Sequence, residues 1–281
     1  MPRLFVFGLG YTALTLAKIL RREDWSVTGT CRGADGLRRL REHGIEPIRF
    51  DGTQPLAAGA FDGVTHLLCS IPADPDDPAL RYNGDTIANS ISLSWIGYLS
   101  TTSVYGVTDG STVDEDTPCN PSSARGKRRL AAEQAWQALP LPGHVFRLSG
   151  IYGPGRSVFE TIQGGRAQRI IKPGQVFNRI HVDDIANVLL CSMAAPAPGR
   201  VYNVADNLPA PSADLVTYAC SLLKVKPPKE IPFEDAVLSP MAREFWADNK
   251  RISNRRMMDE LGVELAYPTY RDGLDAIFET L

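Results

Sequence analysis

Phe7-Gly8-Leu9-Gly10-Tyr11-Thr12-Ala13 decides how this chain reads. An apolar run, Leu4-Phe5-Val6, leads into it. A segment over 11–21 follows, with Leu14, Ala17, Ile19 and Leu20 available for burial. The pattern is G-x-G-x-x-A set between a strand and a helix. Gly8 permits the tight turn. Gly10 lacks a Cβ, so backbone can approach a pyrophosphate, and Ala13 lets the helix pack close to the strand. Tyr11 and Thr12 open the helix, whose free N–H groups and partial positive charge suit phosphate. The competing reading is an ordinary βα turn of a flavodoxin-like sheet. Placement at the head of an alternating chain favours a dinucleotide site.

Outward from that turn, short apolar runs alternate with amphipathic segments. The spacing predicts strands over 3–7, 25–30, 45–50, 65–71, 95–101 and 144–148, and helices over 11–21, 35–43, 80–94 and 122–139. Alternation of this kind predicts an α/β fold, a doubly wound parallel sheet of the Rossmann type. Runs such as Leu-Phe-Val-Phe suit strands covered on both faces. After Gly150 the rhythm changes. A helix is expected over 183–194, capped by Asp183 and Asp184, and a strand over 200–204. From Asp206 on, helical pieces are punctuated by prolines. We expect a Rossmann domain from 1–150 plus about 181–205. A small, mainly helical C-terminal subdomain is expected from about 151–180 plus 206–281.

The chain has 281 residues and a formal net charge of −2, which argues against a nucleic-acid partner by bulk charge. With 43% apolar and 22% charged residues it has a globular composition. Residues 86–108 lack charge but are broken by serines, threonines and Asn89, so they make a poor membrane span. Five cysteines, none in a CxxC and none at zinc-ligand spacing with histidine, point to a reducing compartment and no metal. No charged leader with an apolar core opens the sequence, and a cytoplasmic protein is expected.

The second expected strand ends Thr28-Gly29-Thr30-Cys31-Arg32. A site for NAD usually carries a carboxylate there, on the ribose 2′-hydroxyl. Here no carboxylate is present, and Arg32 would favour a 2′-phosphate and stack on adenine. NADP is therefore expected over NAD, unless Arg32 is a solvated surface charge. Asp51 with Gly52 ends the third strand, either beside adenine or as a plain Asp-Gly turn. Ser70 and Ile71 end the fourth strand and should face the cofactor ribose.

Several segments together resemble the extended short-chain dehydrogenase/reductase family, the NAD-dependent epimerase/dehydratase group. They are the glycine motif, Ser100-Thr101-Thr102-Ser103-Val104-Tyr105-Gly106, Arg147-Leu148-Ser149-Gly150-Ile151-Tyr152-Gly153-Pro154-Gly155, Ile180-His181-Val182-Asp183-Asp184 and Val201-Tyr202-Asn203-Val204. The resemblance implies the cofactor positions above together with Ile151. It also implies a homodimer through the 122–139 helix and catalysis by a Ser/Thr, a Tyr and a Lys four residues after the Tyr. Thr101 matches the first. Registering Gly126 and Glu133 puts Arg125 at the tyrosine position and Arg129 at the lysine position. No tyrosine in the chain has lysine at i+4.

A guanidinium cannot exchange protons near neutrality. Arg125 and Arg129, one helical turn apart, are read either as an anion clamp or as part of a solvated face with Lys127 and Arg128. Arg129 can still hold ribose hydroxyls. For a proton donor the candidates are Tyr105 and Tyr152, whose other reading is packing within Tyr-Gly turns. His181 is expected in a hydrogen-bonding role.

The reading is an atypical NADP-dependent oxidoreductase of a small anionic substrate, with Thr101, Arg125, Arg129 and Tyr105 as catalytic candidates. The alternative is a non-catalytic NADP-binding sensor or regulatory protein. A third, remoter reading is a nucleotide-sugar enzyme with a relocated acid.

Overall fold

The computed structural model describes residues 1–57 and 59–281. Seven strands form one sheet: β1 Arg3–Phe7, β2 Ser26–Cys31, β3 Glu46–Arg49, β4 His66–Cys69, β5 Trp95–Thr101, β6 Gly143–Leu148 and β7 Val201–Val204. Their order in space is β3-β2-β1-β4-β5-β6-β7. Every neighbouring pair is parallel, with Leu4 opposite both Val27 and His66. This is a Rossmann sheet, and the order reverses between β1 and β4, where such sheets open a crevice at their carboxyl ends.

Strand β1 shows why the sheet is covered twice. Leu4 and Val6 join one apolar cluster while Phe5 and Phe7 join the other, and all four are fully buried. Helices α1 (Tyr11–Arg22) and α2 (Ala34–Glu42) contribute Leu16 and Leu40 to the first cluster. Helices α3 (Pro78–Ala88) and α4 (Ala124–Gln137) contribute Ile87 and Trp136 to the second. After α5 (Val158–Gln163), helix α6 (Val182–Ala194) lies in the first cluster through Ile185 and Leu189. Its Ser192 hydroxyl takes the indole N–H of Trp95 at 3.0 Å.

The remainder holds α7 (Ser212–Leu222), α8 (Pro240–Ala247), α9 (Arg255–Leu261) and α10 (Tyr270–Phe278). Three short parallel ladders lie outside the main sheet. They pair Gly150–Tyr152 with Arg179–His181, Arg169–Ile171 with Glu230–Pro232, and Thr112–Val113 with Arg251–Ile252.

Two expectations are corrected. The helix expected over 80–94 stops at Ala88, because the serines beyond it bond elsewhere: Ser92 and Ser94 give their hydroxyls to the carbonyls of Val64 and Thr65. The Asp pair does not cap α6. His181 does, accepting the Asp183 amide at 3.3 Å, while Asp184 accepts the amides of Ala266 and Tyr267. No described helix is long and apolar enough to cross a membrane.

Candidate functional site

The turn between β1 and α1 is held from beneath. The Gly8 amide donates to the Thr30 hydroxyl at 2.8 Å, and the Leu9 amide to the Thr30 carbonyl at 2.9 Å. Gly8 has φ +76°, and a Cβ there would sit 2.3 Å from Ile71 Cγ2. Thr30 and Ile71 therefore shape the turn. A Cβ at Gly10 would meet only the Gly8 carbonyl, at 3.9 Å, so the outward side is open. Above it α1 begins with no capping side chain and no acidic residue in its first turn. A twelve-residue helix thus presents uncapped donors and its positive end across a glycine. These features fit a pyrophosphate.

Tyr11 roofs this end. Its hydroxyl donates to the Pro154 carbonyl at 3.0 Å, and burial pushes its pKa up to about 12. The Arg156 guanidinium lies 5.7 Å from the Tyr11 ring centroid. Arg156 is exposed and has no carboxylate partner among the described residues. Sequence reading missed it; its signal is a cation directly after Gly153-Pro154-Gly155.

Where the sequence leads us to expect adenine, Arg32 is exposed just past β2. Asp51 is drawn into a local turn, accepting the Thr53 hydroxyl at 2.6 Å and the Thr53 amide at 3.2 Å. Those bonds hold its carboxyl below the usual range. Gly52 takes φ +80°, so the Asp-Gly turn is real, and Asp51 faces solvent.

A cleft of about 590 Å³ opens over the carboxyl ends of β5 and β6, within the range of small-molecule sites. Thr12, Ser70, Thr101, Arg125, Arg129 and Ile151 all line it. Thr101 accepts the Ser103 amide at 3.3 Å and starts the 3-10 turn Thr102–Val104. Ser123 caps α4 by accepting the Gly126 amide, which sets the phase of the helix. Arg129 then reaches β5, donating to the Leu99 carbonyl at 2.9 Å and the Tyr98 hydroxyl at 3.2 Å. Arg125, one turn earlier, is exposed and unpaired among the described residues. Arg128 turns away to Asp74 at 3.4 Å, and Lys127 does not line the cleft. Ser149, also on the lining, has a buried hydroxyl with no partner among the described residues.

The proposed proton donors are placed elsewhere. Tyr105 is 1% exposed and lies outside the cleft lining. Its hydroxyl donates to Asn203 at 2.7 Å and accepts from Arg147 at 3.0 Å. Burial pushes its pKa up to about 12. Arg147 in turn forms a buried pair with Glu133 at 2.9 Å, and Glu133 also accepts the Ser100 hydroxyl. Tyr152 is buried against α10, with its hydroxyl toward the Thr269 carbonyl and its pKa raised by burial. The His181 ring, whose pKa burial lowers, has Nδ1 engaged by the Asp183 amide and Nε2 buried without a partner among the described residues. No cluster of three metal-ligating side chains occurs among the described residues, and all five cysteines are free.

Sheet order and family profile together define a Rossmann-fold protein of the extended short-chain dehydrogenase/reductase type. The profile of the NAD-dependent epimerase/dehydratase family matches residues 6–205, and the chain belongs to that family. Protein YeeZ of Escherichia coli K12 is 28% identical over 95% of this chain and 97% of its own. A solved structure of a functionally unknown conserved protein from Silicibacter pomeroyi is 50% identical, covers 100% of this chain and 99% of its own, and superposes with a TM-score of 0.93. Human epimerase family protein SDR39U1, solved with NADPH, is 18% identical over 99% of this chain and 100% of its own; its TM-score of 0.78 speaks for the fold.

Proposed function

We propose that this protein is an NADP-dependent oxidoreductase acting on a small anionic substrate. The observation that carries the reading is the uncapped α1 N-terminus behind Gly10, with a cation rather than a carboxylate directly after β2. The amides of Tyr11, Thr12 and Ala13, with Arg156, would hold the pyrophosphate, and Arg32 the 2′-phosphate. Ser70, Ile151 and Arg129 would flank the ribose and ring; one Arg129 nitrogen is committed to β5, and a guanidinium has five donors. Bound there, the cofactor would supply or accept hydride, and the accompanying proton would be exchanged with solvent in the cleft, since Tyr105 and Tyr152 are buried away from it. Thr101 would polarise the substrate oxygen and Arg125 would hold the substrate charge in the cleft.

NADPH should bind at least about tenfold tighter than NADH, read by nicotinamide fluorescence. Arg32→Asp should reverse the order. Equal affinities in the natural chain would reject the preference. A second reading, a non-catalytic NADP-binding sensor, is favoured by Tyr105 and Tyr152 being buried away from the cleft. Binding of NADPH without its oxidation by any small oxo-acid would select it.

A further inference from the structure

The outer wall of the cleft is the segment 239–250, which the cofactor reading leaves without a task. Two of its side chains are apolar, line the cleft and face water: Met241 is 69% exposed and Phe245 57%. Phe245 lies flat on Phe177, with centroids 4.9 Å apart and planes 6° from parallel. One face of the ring is therefore covered and the rest is open.

At the end of the same wall stands Lys250, 5% exposed yet on the cleft lining. Its position is fixed on both sides. Asn178 donates to the Lys250 carbonyl at 2.9 Å and accepts the Ile252 amide at 2.8 Å, and Gln175 donates to the Asp248 carbonyl at 2.7 Å. An ammonium carries three donors. Asp248 takes one at 2.8 Å, and Lys250 Nζ meets no other acceptor among the described residues. Burying a cation with donors unspent is costly unless a ligand completes them. Arg125 lines the same cleft without an ion pair among the described residues. Glu244 is the wall's other carboxylate. Glu244 is exposed and makes no ion pair among the described residues; with Asp248 set against Lys250, Arg125 is the cation left without a carboxylate partner. That suits a carboxylate better than a doubly charged phosphate.

We propose that the outer cleft binds an aryl carboxylate, its carboxylate between Lys250 and Arg125 and its ring on Phe245 and Met241. The flat open face of Phe245 accepts an aromatic ring by offset stacking, and the Met241 thioether suits a ring edge. The inference rests on the oxidoreductase reading for the reacting end of the substrate, but the binding site stands on these side chains alone.

The test is calorimetry on the full chain saturated with NADP⁺, using benzoate, phenylacetate, 3-phenylpropionate and cinnamate against their primary amides. At least one acid should bind about tenfold tighter than its amide. Lys250→Gln should bring that ratio close to one, and Arg125→Gln should lower it. Phe245→Ala should weaken acid and amide alike. NADP⁺ affinity should stay unchanged in the Lys250 and Phe245 variants. Acids that bind no better than amides, no acid binding at millimolar concentration, or an unchanged ratio in Lys250→Gln or Arg125→Gln would overturn the proposal. If NADP⁺ itself does not bind, the oxidoreductase reading fails, and the same acid and amide titrations without cofactor decide the site.

Discussion

Arg147 and Glu133 sit side by side, 7% and 1% exposed, and each is engaged by several hydrogen bonds. Arg147 also reaches Tyr105, whose hydroxyl reaches Asn203, whose amide donates to Glu115 at 2.7 Å. Removing one member strands the others. Arg147→Met should lower stability by about 3–5 kcal/mol, measured by urea unfolding, since a lone buried carboxylate is left behind. A loss under about 1 kcal/mol would show the pair is dispensable.

Asp206 behaves in the opposite sense. Burial raises its pKa from 3.8 to about 7, although the Leu208 amide and Arg179 pull it down. Below pH 4 both folded and unfolded chains hold this proton. Between pH 4 and 7 only the folded chain does, so its contribution to stability falls as pH rises, and above 7 the loss is complete. The whole effect is about 4 kcal/mol for a shift of this size. Asp206→Asn should flatten the pH dependence of Tm over that window; an unaltered profile would place the titration elsewhere.

Among elements, one helix terminus ties two helices together. Asp77 caps α3 through one oxygen, taking the amides of Ala79 and Leu80, and with the other accepts the Trp136 indole N–H at 2.8 Å. It thereby joins α3 to α4. Asp77→Ala should cost about 2–4 kcal/mol, because a cap is lost and a buried indole donor is orphaned. A denaturation midpoint equal to the parent's would refute that.

The strands and α1 were legible because periodicity and glycine spacing are local: Arg3–Phe7 and Trp95–Thr101 fall where the apolar runs place them. The end of α3 was not, since it depends on Ser92 and Ser94 meeting carbonyls nearly thirty residues away. Nor was the α6 cap: Asp183 and Asp184 look like caps until Asp184 is seen tied to the tail. The three ladders of two or three residues lie below what a hydrophobic period can report.

For the whole molecule the same division holds. The family motifs could be read in order, and they brought Thr12, Ser70, Thr101, Arg125, Arg129 and Ile151 to one cleft. Tyr105, taken from the same stretch as Thr101, points into the interior instead. A 3-10 turn separates the two, and no pattern announces it. Arg156 and Lys250 went unnoticed because only the folded chain brings Arg156 against the Tyr11 ring and Lys250 onto the cleft wall. Asn178 links these parts, bonding Lys250, Ile252 and, through its carbonyl, the Gly150 amide. Asn178→Ala should loosen the 239–250 wall and raise its cleavage by protease under native conditions, while NADPH affinity stays near the parent's. Equal cleavage would show that the wall is held by other contacts.

Arg129 has one further consequence. Its guanidinium spans from α4 to the Leu99 carbonyl and stacks near the Tyr98 ring, bracing the strand end that carries Thr101. Retrofitting tyrosine at 125 and lysine at 129 would therefore remove a brace as well as install a relay. A transplant of conventional epimerase chemistry into this scaffold has to rebuild the floor first.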